Sequence, residues 1–551
     1  MKKIICMILV AALTACMLSG CDLLSLADRV QYYMDTLEQY MDTLEPEDTS
    51  WQAHMQYTLD DQLVDSFYAL LEESETLAIA GEDMQAIEEK SDHLDELYME
   101  LIDQNQIAYV YYCTDQSNEQ YSQWYLHSSD ILSQAESDYN QMAKRVYLSD
   151  TPAKELLFED WTQQDIDMLL LHDEKIASLE QRNAQILTEY RALEEDGWEE
   201  NVVALYNELV SNNNQIAQIY GYDNYYEFGS KISFQRDYGT QQLQQMRQYV
   251  AQYLAPLCRT STDLFYEQYD KLIGQDQEAL LAILYDSYDD LTHNYLDDYI
   301  AQLPASASSA MQGMFESNRV VITHSADAYY GAFTTFVDEM PFCYYGPEYD
   351  DTQTMIHELG HYYGSGNYEA WSVPIDLSET HSQGNEWLYI RFLKDTIGER
   401  VFACMEEYQI MYSLSTIVTC AMVDEFEQMV YSHEASGTLT LEQYEALMEQ
   451  IVEKYGGSEF VGEYITDIQS YWKNVVVENP VYYLSYAVSA VAAMDLYLIA
   501  TEDYQQAKDI YCTLIEDGDG EQGFLWNIQQ AGLTGPFEET VYQKLAVRYG
   551  K

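Results

Sequence analysis

Positive charge is scarce in this chain. Its 551 residues carry 25 Lys+Arg against 95 Asp+Glu, a formal net charge of −70. So acidic a chain repels a phosphate backbone and anionic headgroups, which argues against nucleic-acid binding and against electrostatic docking on acidic lipid. Proline (9) and glycine (25) are also few. Their scarcity excludes a collagen-like or linker-rich chain and favours long helices. The 9 cysteines are scattered with no C-x-x-C pair, so their spacing demands no disulfide. We read those of the mature chain as buried thiols, with room for one or two bridges. Histidine is rare as well, and none follows His433.

Apolar residues are plentiful. They make up 47% of the chain, enough for a large core in two or three domains or one composite unit. The 52 tyrosines can fill a core and still carry hydroxyls suited to sugars or peptides, and their number alone selects neither.

The chain begins Met1-Lys2-Lys3, followed by the apolar run Ile4–Met17 and Leu18-Ser19-Gly20-Cys21. That run is short for a membrane span but suits a signal peptide. Its end resembles a bacterial lipobox, in which Cys21 becomes the lipidated N-terminus; an ordinary signal peptide with an incidental Cys21 is the alternative. No later stretch reads as long and apolar enough to cross a bilayer. The expectation is an exported bacterial lipoprotein on the outer face of the cytoplasmic membrane.

Residues 1–20 are thus expected to be the signal peptide and 21–50 a lipidated tether with a first helix. Within that tether Tyr33–Glu38 recurs seven residues later as Tyr40–Glu45, one face of an amphipathic helix. Residues 51–220 read as an N-terminal helical region, with helices near 82–111, 164–193 and 199–219. Residues 221–551 read as a second region, opening with a long helix at 240–269 and holding the chemistry-bearing motif described next. Short strands are expected at 320–323 and 341–345. Gly518, Gly520 and Gly523 alternate with acidic residues, which suits a loop rather than a phosphate cradle.

The chemistry concentrates in Thr354-Met355-Ile356-His357-Glu358-Leu359-Gly360-His361. On a helix, His357 and His361 lie one turn apart on one face. Two imidazoles so placed can bind one zinc at about 2.0–2.1 Å. Glu358 can then act as general base toward water. Met355, Ile356 and Leu359 can bury the opposite side. A third ligand is needed. Glu379, eighteen residues after His361, is the first choice; Glu386, Asp376 and His381 compete with it.

These segments resemble the M3 family of zinc metallopeptidases, the thimet oligopeptidase and oligoendopeptidase F group, and the latter more closely. Tyr220–Tyr226, Arg236-Asp237-Tyr238, Gly331–Thr335, Pro341-Phe342, Asp350-Asp351, the HELGH helix, Glu379–Glu386 and Pro480–Tyr486 follow the family's order, over roughly residues 180–545. The resemblance implies a mostly α fold: an elongated multi-helix body with a deep substrate channel and a small β-sheet beside the HExxH helix. It implies one zinc per chain on His357, His361 and Glu379, endopeptidase action on short unfolded peptides, and Tyr482 and Tyr486 as catalytic donors. It also implies that the strand near Phe342–Tyr345 pairs with the peptide, which makes Phe342 and Tyr344, with Tyr483, substrate-binding residues. Asp351, Asp376 and Glu386 remain unranked as groups orienting the histidines.

Three departures from the family pattern stand out. The interval from HELGH to Glu379 is short. Gly364 stands where the family often has another histidine. The family's histidine before the tyrosine segment is replaced by Asn474–Asn479, and such a donor is worth about 2.7–4 kcal/mol at the transition state. Two alternatives follow: a catalytically impaired, lipid-anchored peptide-binding protein of the same fold, or an aminopeptidase of the M1 type. The latter lacks its exopeptidase signature here.

Overall fold

A computed structural model describes residues 50–550 except 160, 192, 194–197, 273, 286–292, 369–371, 434–437 and 458–474. The signal segment, Cys21 and the heptad pair lie outside the described residues.

Three long helices come first: α1 (Asp61–Ala80), α2 (Met84–Thr114) and α3 (Glu119–Leu148). Asp60, Asp83 and Asn118 cap their N-termini by accepting backbone N–H groups. Gly81, at φ 62°, ends α1 in the left-handed conformation. Phe67, Leu71, Leu94, Leu101, Ala135 and Val146 close a core of their own.

The helix expected at 164–193 is two, α4 (Gln163–Leu171) and α5 (Glu174–Arg191). Asp173 divides them: its Oδ1 accepts the N–H groups of Lys175 and Ile176 and starts the second helix. After α6 (Trp198–Ile219), the helix expected at 240–269 is α7 (Thr240–Tyr249) and α8 (Ala255–Lys271), joined by a wide turn at Val250–Leu254. Its i→i+5 hydrogen bonds lead up to Pro256, which has no N–H to give.

The sheet has three strands, β1 (Val320–Ile322), β2 (Ala332–Val337) and β3 (Met340–Tyr345), in the order β1-β3-β2. β1 runs parallel to β3, with Val320 opposite Cys343. β2 is antiparallel to it, with Thr334 opposite Cys343. Asp338 and Glu339, both at positive φ, form the two-residue hairpin turn. Then come α9 (Thr352–Ser365), α10 (Ile375–Thr396), α11 (Glu399–Tyr431), α12 (Leu484–Glu502) and α13 (Tyr504–Glu516). Shorter helices fill the intervals.

The large core draws on α9 to α13, and it also takes Ile186 of α5 and Tyr206 of α6. Helices assigned by sequence to the N-terminal region therefore pack into the same core as the HELGH helix. A third cluster joins Ile107, Val110 and Cys113 of α2 to Val321, Val337, Phe342 and Tyr344 of the sheet.

Two expectations are corrected. One described helix, α12, is long and apolar enough to cross a bilayer, but most of it is buried inside the protein. The stretch from Glu379 up to Gly398, whose residue pattern reads as an amphipathic helix, is the second: in α10 nearly every residue from Asp376 to Ile390 is buried. Several of its polar side chains find hydrogen-bond partners within the core. Asn385 donates to the Ile356 carbonyl, Gln383 to Ser489, and Thr380 to the Asp376 carbonyl. All six described cysteines are buried and unpaired.

Candidate metal centre and active site

Asp351 starts α9 by accepting the N–H groups of Gln353 and Thr354 and the Thr354 hydroxyl. It is therefore a helix cap. Met355, Ile356 and Leu359 bury one side of α9, as expected. Gly360 faces α10. A Cβ there would meet Ser382 Cα at 2.6 Å and the His381 carbonyl oxygen at 2.7 Å. Only glycine lets the two helices approach this closely, and the approach brings Glu379 to the histidines. Gly364 has a related role: a Cβ there would lie 2.3 Å from His381 Nδ1. The buried His381 ring uses that space, with Nε2 left without a hydrogen-bond partner.

His357 Nε2 and His361 Nε2 lie 3.2 Å apart. Glu379 Oε2 is 3.7 Å from the first and 3.8 Å from the second. His357, His361 and Glu379 thus converge as a possible metal-binding group. Behind them, His357 Nδ1 contacts Glu386 Oε1 at 2.6 Å. Gln409 Nε2 donates to Glu386 Oε2 at 2.7 Å and accepts from Gln353 through Oε1. His361 Nδ1 faces Ser378 Oγ at 3.0 Å. Of the three carboxylates left unranked, Glu386 is the one against a histidine. Asp376 instead accepts from the Tyr238 hydroxyl.

The two imidazoles differ electrostatically. Burial disfavours the charged form of His357, but the hydrogen bond and charge of Glu386 outweigh it and push the pKa up to about 9. Burial holds His361 far below the usual imidazole range. Burial also raises Glu379 to about 7, against the opposing pull of His357 and Tyr482. Glu358 is buried, which raises its pKa. Thr334 of β2 donates to its Oε2 at 2.8 Å.

The tyrosine segment closes the other side. Tyr482 donates to Glu379 Oε1 at 3.0 Å, and its oxygen lies 3.4 Å from that of Tyr486. Tyr483 packs its ring against both. Phe342 and Tyr344 are placed otherwise than the resemblance implied. Both are fully buried in β3, and the Tyr344 hydroxyl contacts the Cys113 carbonyl. β3 is the central strand, so its two backbone edges are taken by β1 and β2. The edge beside Glu358 is that of β2, which was not read as a strand from sequence. Val475, Val476 and Val477, where the family's histidine was missed, are buried. Thr334, Ser378 and Gln409 had no local sequence signal beyond the family match around Gly331–Thr335.

The fold and its small sheet define an oligoendopeptidase F-like architecture. Among solved structures, the chain resembles PZ peptidase A with an inhibitor at 17% identity and a TM-score of 0.71, covering 90% of this chain and 98% of that one. A candidate oligoendopeptidase F matches at 17% identity and a TM-score of 0.70, covering 90% and 97%. Oligoendopeptidase F from Enterococcus faecium matches at 14% and 0.54, covering 89% and 98%. No family model and no curated protein matches the chain. At these identities the likeness is one of fold.

Proposed function

We propose that this chain is a zinc-dependent endopeptidase of short, unfolded peptides. The observation that carries the reading is the convergence of His357, His361 and Glu379 beside the buried Glu358. The donor set suits zinc: two imidazole nitrogens and a carboxylate oxygen, with separations near the edge of about 3.3 Å that 2.0–2.1 Å tetrahedral bonds require. Zinc held there supplies Lewis-acid polarisation of the scissile carbonyl and lowers the pKa of water at the site.

The chain's own groups do the rest. Thr334 ties down Glu358 Oε2, and Oε1 takes the proton of the attacking water and passes it to the leaving amine. Tyr482 is committed to Glu379, so Tyr486 is the hydroxyl that steadies the developing oxyanion. The peptide adds as a strand along β2, whose main chain tolerates many sequences. Short substrates suit a site set between the sheet and the α9–α10 pair.

The test is hydrolysis of a quenched mixed-peptide pool by the chain with zinc, beside Glu358→Gln. Internal cleavage by the wild type and its loss in a zinc-binding variant are the expected results; full turnover by Glu358→Gln overturns the mechanism. Apolar residues at 475–477 support a second reading, an impaired peptide-binding protein. Zinc-loaded wild type that binds peptides and cleaves none would establish it.

The lipobox-like Leu18–Cys21 supports anchoring by lipid at Cys21, on the outer face of the cytoplasmic membrane. Labelled fatty acid should enter the wild type, while Cys21→Ser should take up none and leave the membrane fraction.

A further inference from the structure

Val481, immediately before Tyr482, has a φ of 66°. A β-branched residue in the left-handed region is a strained outlier that persists only where its surroundings enforce it. Here two buried ionisable side chains hold its two peptide groups. The Val481 N–H donates to Glu427 Oε1 at 2.7 Å. Its carbonyl accepts from Arg236 Nη2 at 2.9 Å. The same Nη2 donates to Ser485 Oγ at 3.0 Å, in the first turn of α12. Arg236 Nε lies 3.6 Å from Asp376 Oδ1, three residues before Glu379, and has no hydrogen-bond partner of its own. Arg236 thus spans from the first turn of α10 to the start of α12. The Val481 side chain is 0% exposed, so a glycine there would relieve the strain but empty a packed position.

The strain leads directly to the metal centre. Tyr482 follows Val481, and its hydroxyl occupies Glu379 Oε1 while Oε2 faces both histidines. We propose that Arg236 and Glu427 are positioning residues. They hold Val481 in its left-handed conformation, which aims Tyr482 at Glu379 and presents one carboxylate oxygen to the metal. This rests on the reading of His357, His361 and Glu379 as ligands.

The experiment measures zinc affinity of the full chain by chelator competition in wild type, Arg236→Gln, Tyr482→Phe and the double variant. Each single change is expected to weaken binding roughly tenfold, within the range for groups that orient a ligand. The double is expected to bind no more weakly than Tyr482→Phe alone, because the arginine acts through that hydroxyl. Losses that multiply, or no loss in Arg236→Gln, overturn the proposal. A second comparison stands even if Arg236→Gln fails to fold. Val481→Gly and Val481→Ala both remove the isopropyl group, but only glycine accepts positive φ without cost. Val481→Gly is expected to melt above Val481→Ala and to bind zinc more tightly; the reverse order overturns the clamp. A wild type that binds no zinc sinks the proposed function instead, and the melting order still decides whether Val481 is strained.

Discussion

His357 and His361 are one helical turn apart, yet they meet a metal ion in different protonation states. His361 is neutral because burial leaves it no stable charge. His357, pushed up to about 9 chiefly by Glu386 against its own burial, holds a proton at pH 8. Zinc must displace that proton. Calorimetry at pH 8 in buffers of different ionisation enthalpy should therefore show about one proton released per zinc bound. Release should fall as the pH rises through the His357 value, since the proton is then already gone. Release near zero at pH 8 would show that Glu386 does not keep its partner protonated. The sequence shows the two histidines but not this asymmetry, because Glu386 lies 29 residues beyond His357 and reaches it only through helix packing.

At the scale of elements, the site depends on how closely α9 and α10 cross. Gly360→Ala should raise intrinsic helix propensity by about 1 kcal/mol. Yet its Cβ would press on the backbone of Ser382 and His381, a type of overpacking that costs about 1–3 kcal/mol. Lower melting temperature and weakened zinc binding are the expected results, read by calorimetry and chelator competition. Much of this level is legible in the sequence. The α9 motif follows from the His-x-x-x-His period, and the limits of β1 and β3 follow from β-branched and aromatic runs. What is hidden follows from tertiary context. The polar spacing of α10 looks like a solvated face, but its amides and most of its carboxylate oxygens are bonded by neighbouring segments. β2 is recognisable as a strand only through β3. Its Thr334 gains meaning only when Glu358 is brought beside it. Val481 looks like an ordinary apolar residue, since backbone strain leaves no mark on residue identity.

At the scale of the molecule, the net charge of −70 sets a long-range field. Such a field raises the encounter rate of cationic peptides and is screened by salt. For peptides of equal length, kcat/KM for a Lys-rich substrate should fall with added salt while that for a neutral one changes little. Equal salt dependence would mean that the field does not reach the site. The buried thiols offer a different use of the same molecule. Cys113 lies in the cluster joining α2 to the sheet, and Cys343 lies in β3 against the Glu358 backbone. Neither is alkylated while the structure stays shut. Under native conditions their modification rates become two clocks, one timing separation of the N-terminal helices from the sheet and the other timing breathing beneath the general base. A peptide or inhibitor that quiets one clock and not the other would reveal which part of the protein it steadies.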